Sequence, residues 1–291
     1  MKTLLPFLAV ITAMFSSTLA AEPVKVVSFS TILAEVAQQV GGSAVDVVEL
    51  VKPGMDPHEY QPTPGDLRQL ADAKLVLASG KNMEHYLDKL AGSAGPGAMI
   101  VKVGDQMPSL QLNEGGSGLV QDPHWWHSIA NVEKATKIVR DALILADPVN
   151  TAEFTNNANA YLAKLVALNT WVKQKVADLP RDKRELVTSH DAFQYFAKQY
   201  GFTIYPIEGI STEQEPSAKQ VDDLIATIKS QGVKAIFLED TLNPKVSSEI
   251  TRETGAKIGG MLYADGLGSG EGSTYEGMVK HNVTTIVEAL K

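Results

Sequence analysis

The chain has 291 residues, 44% hydrophobic and 21% charged, proportions that exclude a disordered, collagen-like or coiled-coil protein and leave room for two lobes of ordinary size. Twenty-six basic residues against 34 acidic ones give a formal charge of −8, so there is no basic footprint for a nucleic acid. Cysteine is absent, which removes disulfides, thiolate ligands, cysteine nucleophiles and a lipid-bearing cysteine; any metal ligand must be His, Asp or Glu.

Lys2, the apolar run 4–15 and the small residues Ser16, Ser17, Thr18 and Ala20 form an export signal, with cleavage expected after Ala20. A membrane anchor is the alternative, but the run is shorter than the roughly 20 residues of a spanning helix and no stop-transfer cluster follows. Downstream, β-branched stretches at 25–30, 45–51, 74–79 and 99–103 read as strands, alternating with helices at 32–40, 66–71 and 83–90. This βαβαβ order requires crossover connections and predicts a largely parallel sheet covered on both faces. Residues 104–121, rich in Gly, Ser and Gln and without a hydrophobic period, read as a mobile loop able to gate a site.

Helices are expected at 131–145 and 151–179, divided at Asp147-Pro148. In the second, Phe154, Ala158, Tyr161, Leu162, Leu165, Leu168, Val172 and Val176 keep a 3.6-residue stripe over far more than the usual three turns, as a connector between lobes would. Alternation resumes with strands at 186–188, 202–206, 235–238 and 258–263 and helices at 192–200, 217–230, 244–254 and 275–290. The expected class is α/β: residues 21–150 and 181–291 as two lobes with mainly parallel sheets, joined by the long helix 151–180.

Six histidines are distributed unevenly over this map. His58 lies in the loop after the second strand, His124 precedes a helix after the 104–121 loop, and His190 ends the strand at 186–188. Asp265 follows the last strand. All four fall at carboxyl ends of strands or in the loops that leave them, the edge at which open α/β sheets bind ligands. Three imidazoles and a carboxylate make a complete tetrahedral set for Zn²⁺ with no open position for water, which suits carriage of the ion better than hydrolysis. The separations are long and carry no local motif, so spacing alone leaves satisfied surface or core histidines as an equal reading.

The wording around these residues is more specific. DPHEYQPTPGDL (56–67), DPHWW (122–126), TSHDAFQYFAKQYG (188–201), the run 215–237 and LYADGLG (262–268) resemble the metal-binding solute receptors of ABC transporters, the cluster A-I or cluster 9 family, in order along the whole mature chain. The resemblance implies two α/β lobes joined by one long helix, a metal between them, and His58, His124, His190 and Asp265 as its ligands. It implies a periplasmic, non-enzymatic receptor that delivers its ion to an inner-membrane permease and ATPase; the chain is expected to be a monomer, and a metallochaperone is a candidate further partner whose involvement the sequence leaves open. Manganese-importing members tend to carry Glu where this chain has His190, so Zn²⁺ is the expected cargo and Mn²⁺ the alternative, in line with the affinity of imidazole for zinc and of added carboxylates for manganese.

Two departures from the family stand out. The 104–121 segment has no His, so a loop-borne second metal site is not expected, and the family pattern DPHxWLDP reads DPHWWHSIAN here, introducing His127. His127 is read as a surface histidine at a helix start, with cleft lining or support of a ligand as the alternative. Glu59 and Asp122 are candidates to hold imidazole tautomers, Trp125 and Trp126 to wall the cleft, and His85 and His281 to be solvated. With no cysteine for a lipid, the exported chain is expected to diffuse freely in the periplasm. A zinc hydrolase using Glu59 as base would lack the open metal position that Asp265 fills, and a surface adhesin would lack its anchor.

Overall fold

The computed structural model describes residues 22–113, 118–210, 212, 216–239 and 244–291. The expected export signal lies outside them. The N-terminal half runs β1 (Val24–Ser28), α1 (Thr31–Gly41), β2 (Val45–Glu49), α2 (Pro64–Ala71), β3 (Leu75–Ala78), α3 (Leu87–Leu90) and β4 (Met99–Lys102). Its four strands are parallel in the order β2-β1-β3-β4, with Val26 opposite Val47 on one side and Leu75 on the other. All four residues of β3 are buried, as an inner strand with helices on both faces requires. The order reverses direction between β1 and β3, opening a crevice beyond their carboxyl ends.

The C-terminal half repeats the plan: β7 (Glu185–Thr188), α6 (Gln194–Tyr200), β8 (Thr203–Pro206), α7 (Ala218–Gln231), β9 (Ala235–Leu238), α8 (Pro244–Thr254), β10 (Lys257–Met261) and α9 (Tyr275–Leu290). Its parallel order is β10-β9-β7-β8, with the reversal between β7 and β9. Between the halves lie α4 (Ile129–Ala146) and the 27-residue α5 (Thr151–Ala177). The stripe from Phe154 to Val176 is buried except at Leu162, which is half-buried. One hydrophobic cluster runs from the N-terminal sheet through α4, α5 and α9 to Leu186 and Phe237 of the C-terminal sheet, so both sheets rest on a common core.

Local chemistry explains the boundaries. Thr63 and Asp66 form a reciprocal capping box with Pro64 at the first helical position, starting α2 two residues before its apolar pattern. Ser217 and Gln220 do the same for α7.

Two segments differ from expectation. Residues 104–121 are not a plain loop: β5 (Gln111–Asn113) and β6 (Leu119–Gln121) pair antiparallel, Leu112 opposite Val120. Three-residue strands are too short to display a period, and residues 114–117 between them, on which the expectation of mobility partly rested, lie outside the described residues. The expected helix 83–90 contracts to α3 because Gly80, Lys81 and Asn82 all have positive φ (77°, 53° and 66°), and the Glu84 carboxylate turns back to accept the N–H groups of Ser79 and Gly80 at 2.6 and 3.0 Å. Holding Lys81 and Asn82 in this region is costly for non-glycine residues, and Asp105, which accepts the Lys81 N–H at 2.6 Å, helps to hold it.

Candidate metal centre

His58, His124, His190 and Asp265 meet between the two sheets. His58 belongs to the loop after β2 and His124 to the loop after β6, each within an Asp-Pro-His triplet. The triplets fold alike: His58 N–H donates to Asp56 Oδ1 at 2.8 Å and His124 N–H to Asp122 Oδ1 at 2.9 Å. Pro keeps the preceding Asp extended, leaving its carboxylate free to cap the amide two residues on. His190 leaves β7, its carbonyl receiving the Thr188 hydroxyl at 2.9 Å. Asp265 follows β10 on the same edge.

Three Nε2 atoms and one carboxylate oxygen face one point. His124 Nε2 lies 3.2 Å from that of His58 and 3.3 Å from that of His190, and Asp265 Oδ1 lies 3.5, 3.4 and 3.3 Å from those of His58, His124 and His190. A tetrahedron built on zinc bonds of about 2.0–2.1 Å has edges of about 3.3–3.4 Å. Asp265 Oδ1 is buried without a true hydrogen bond. The imidazole nitrogens stand at the long edge of hydrogen-bond distance, which is also the spacing of neighbouring ligands around one ion.

Tautomers reinforce this. His124 Nδ1 donates to Asp122 Oδ1 at 2.9 Å and His190 Nδ1 to Glu239, so in their neutral forms both rings turn an Nε2 lone pair toward the carboxylate. Such convergence is repulsive unless a cation or a proton sits among them. Burial opposes charge on His190, but the carboxylates of Asp265 and Glu239 outweigh it and hold the ring well above the usual histidine range. His124 is raised likewise, burial being overcome by Asp122 and Asp265. Asp265 stays ionised: burial would raise it, yet the His190 charge and the facing imidazoles carry it well below the usual carboxylate range.

Trp125 and Trp126 are fully buried, donating their indole N–H groups to Ser79 O at 3.0 Å and Ala264 O at 2.8 Å. Of the three clustered imidazoles, that of His58 borders a cavity of about 720 Å³, lined also by Lys81, His85, Asp105, Gln121 and Ile210. Asp56 Oδ2, on the far side of the carboxylate that caps His58, accepts the Thr212 hydroxyl from the C-terminal half.

Asp122 occupies the supporting place considered for it, and Glu59 does not. Glu59 is exposed and bonds to no imidazole among the described residues, because its neighbour Tyr60 takes the inward position against Phe29 and Tyr86. His127 is not a surface residue. It is buried against the Phe193 ring at 4.3 Å and donates from Nε2 to Ala264 O at 2.7 Å, and burial followed by the nearby His124 charge lowers it to about 3, so it is neutral. His281 is half-buried and donates to Met261 O at 2.9 Å, while His85 is exposed.

Glu239 was missed. It directly follows β9, at the sheet edge where His190 and Asp265 also lie, is buried, and binds both the His190 ring and the Ser189 amide. The rule that singled out His190 and Asp265 applies to it equally, and its place at a strand's carboxyl end was the available signal.

Residues 26–289 match the family described as "Zinc-uptake complex component A periplasmic". The chain is 33% identical over 278 residues to the manganese-binding lipoprotein MntA of Bacillus subtilis, covering 93% of this chain and 90% of that protein. It is 34% identical over 272 residues to the iron-binding protein YfeA of Yersinia pestis, covering 93% and 87%. The solved structure of the periplasmic zinc-binding protein TroA from Treponema pallidum superposes with a TM-score of 0.86 at 33% identity, over 92% of this chain and 99% of that one.

Proposed function

The chain belongs to the ZnuA family of extracytoplasmic metal-binding receptors of ABC transporters, and from that premise we propose that it captures Zn²⁺ through His58, His124, His190 and Asp265 and yields it to an inner-membrane permease driven by its ATPase. The relatives' names divide among manganese, iron and zinc, so the choice of ion rests on the donors. One observation carries it: three imidazole nitrogens and a single carboxylate oxygen stand 3.2–3.5 Å apart in five of their six pairings. This is a nitrogen-rich, four-ligand set of zinc dimensions, whereas manganese prefers more oxygen donors. Four protein ligands leave no position for an activated water, as suits a carrier. Manganese is the second reading, favoured by the MntA likeness.

In this reading residues 21–150 and 181–291 act as two lobes on the 151–180 helix, and the ion is held where they meet. Their common core favours small rigid-body or loop shifts on release over a wide hinge. MntA is a lipoprotein, whereas this chain has no cysteine to carry a lipid, and we infer that it diffuses freely once exported. Release by osmotic shock without detergent tests that inference, and retention in the membrane fraction contradicts it. Binding itself is tested by titrating chelator-stripped protein with zinc before and after Asp265→Ala. One ion per chain, held much more weakly by the variant, is the expected result, and equal retention by both would remove Asp265 from the site.

A further inference from the structure

We propose that His127 is a positioning residue that fixes how Asp265 faces the imidazoles and so biases the site toward four-coordinate zinc; the inference rests on the receptor reading above. Ala264 immediately precedes Asp265, and its carbonyl receives two N–H groups, from Trp126 Nε1 at 2.8 Å and His127 Nε2 at 2.7 Å. That carbonyl and the Asp265 nitrogen belong to one planar peptide unit, so pinning the oxygen fixes the direction in which Asp265 leaves the backbone. On the other side, Leu267 N–H donates to Thr31 Oγ1 at 2.8 Å. The segment carrying Asp265 is therefore held at both ends by residues from the N-terminal half of the chain.

His127 also bears on the other ligands. It lies three residues after His124, and its ring packs at 4.3 Å on Phe193, itself three residues after His190. One buried imidazole thus touches or extends three of the four ligand-bearing segments. At Asp265 it is Oδ1 that stands 3.3–3.5 Å from the three Nε2 atoms. A carboxylate held this way offers one oxygen. Released from its tether, it can turn to offer two, raising the coordination number and favouring the more oxygen-seeking manganese.

The test compares full-length, metal-stripped wild type, His127→Leu and His127→Gln, the last keeping a side-chain N–H for the Ala264 carbonyl. Three readouts are taken: zinc against manganese competition, the visible absorption of bound Co²⁺, and amide exchange at 265–267 without metal. His127→Leu should narrow the zinc preference by about 10- to 100-fold, the usual effect of losing an outer partner. It should also replace the intense four-coordinate Co²⁺ absorption by a weak one and speed the exchange; His127→Gln should restore all three. A Leu variant that matches wild type, or a Gln variant as impaired as Leu, overturns the proposal. Should His127→Leu fail to fold, Trp126→Phe removes the other donor and must shift the same readouts in the same direction; no shift overturns the proposal as well. Wild type that takes up no metal overturns the receptor reading and this inference together, whereas the variant outcomes overturn the inference alone.

Discussion

Lowering the pH should weaken metal binding with a slope set by His190. This ring is fully buried between Asp265 and Glu239, whose charges prevail over burial and keep its proton affinity well above the usual histidine range. The metal-free protein therefore carries that proton at neutral pH, and an ion that bonds Nε2 must displace it. One displaced proton changes the affinity about tenfold per pH unit, or about 1.4 kcal/mol. His124 is raised too, burial being outweighed by Asp122 and Asp265, so in more acidic solution the slope should steepen toward two protons and about 100-fold per unit. Asp265 is held well below the carboxylate range by its imidazole neighbours against its burial, so it contributes no proton. The sign follows: groups whose pKa is raised in the metal-free protein are charged in acid, and affinity climbs with pH until they lose their protons. Calorimetry in buffers of different ionisation enthalpy counts the protons directly, and chelator competition from pH 6 to 8 gives the slope. Binding that is independent of pH across this range, with no proton released, would refute the reasoning.

Glu239→Gln keeps an acceptor for His190 Nδ1 but removes the charge, so affinity at the alkaline plateau should fall by about 10- to 100-fold while the acid loss moves to lower pH; an unmoved acid limb in the competition titration would contradict this. Glu84 is lifted by burial to about 7 against the Ser79 and Gly80 N–H groups that favour its charge. The folded chain thus keeps a proton that the unfolded chain loses near 4.5, and stability present in acid declines as pH rises from about 4.5 to 7, by on the order of 3 kcal/mol. Denaturant unfolding over this window should show Glu84→Gln with a shallower decline than wild type, and an identical decline would dismiss the effect. Phe154→Ala, in the fully buried stripe of α5, should cost about 3–5 kcal/mol. Because both sheets share that core, calorimetry should still show one transition at lower temperature, and a split transition would indicate independently melting halves.

Much of the architecture was legible because burial imposes period. The apolar run LVLA of β3 and the strand Ala235–Leu238 announce inner strands, and the stripe of α5 announces a helix spanning both halves. What failed to show was set by long-range contacts. Nothing local to Met83 reveals that Glu84 will spend its carboxylate on Ser79 and Gly80 and forestall a helix. Gln111–Asn113 and Leu119–Gln121 are too short to carry a pattern and become strands only by pairing with each other. The grouping of His58, His124, His190 and Asp265 followed from strand ends, which the topology turns toward one crevice. The partners are harder to read. Asp122 lies two residues from its histidine, but Glu239 reaches His190 across 49 positions and His127 reaches Ala264 across 137. A polar residue at a helix start looks solvated until the tertiary fold packs Phe193 over it.

Native mass spectrometry of the mature, metal-stripped chain, titrated with zinc and manganese separately and in competition beside His190→Glu, tests the central claim most directly. The account predicts one tightly held zinc per chain, poor retention of manganese, and a variant whose preference moves toward manganese as a carboxylate replaces an imidazole. Equal retention of both ions by wild type, unchanged in the variant, would contradict a zinc receptor selected through His190, and absence of any bound ion would contradict the four-ligand site itself.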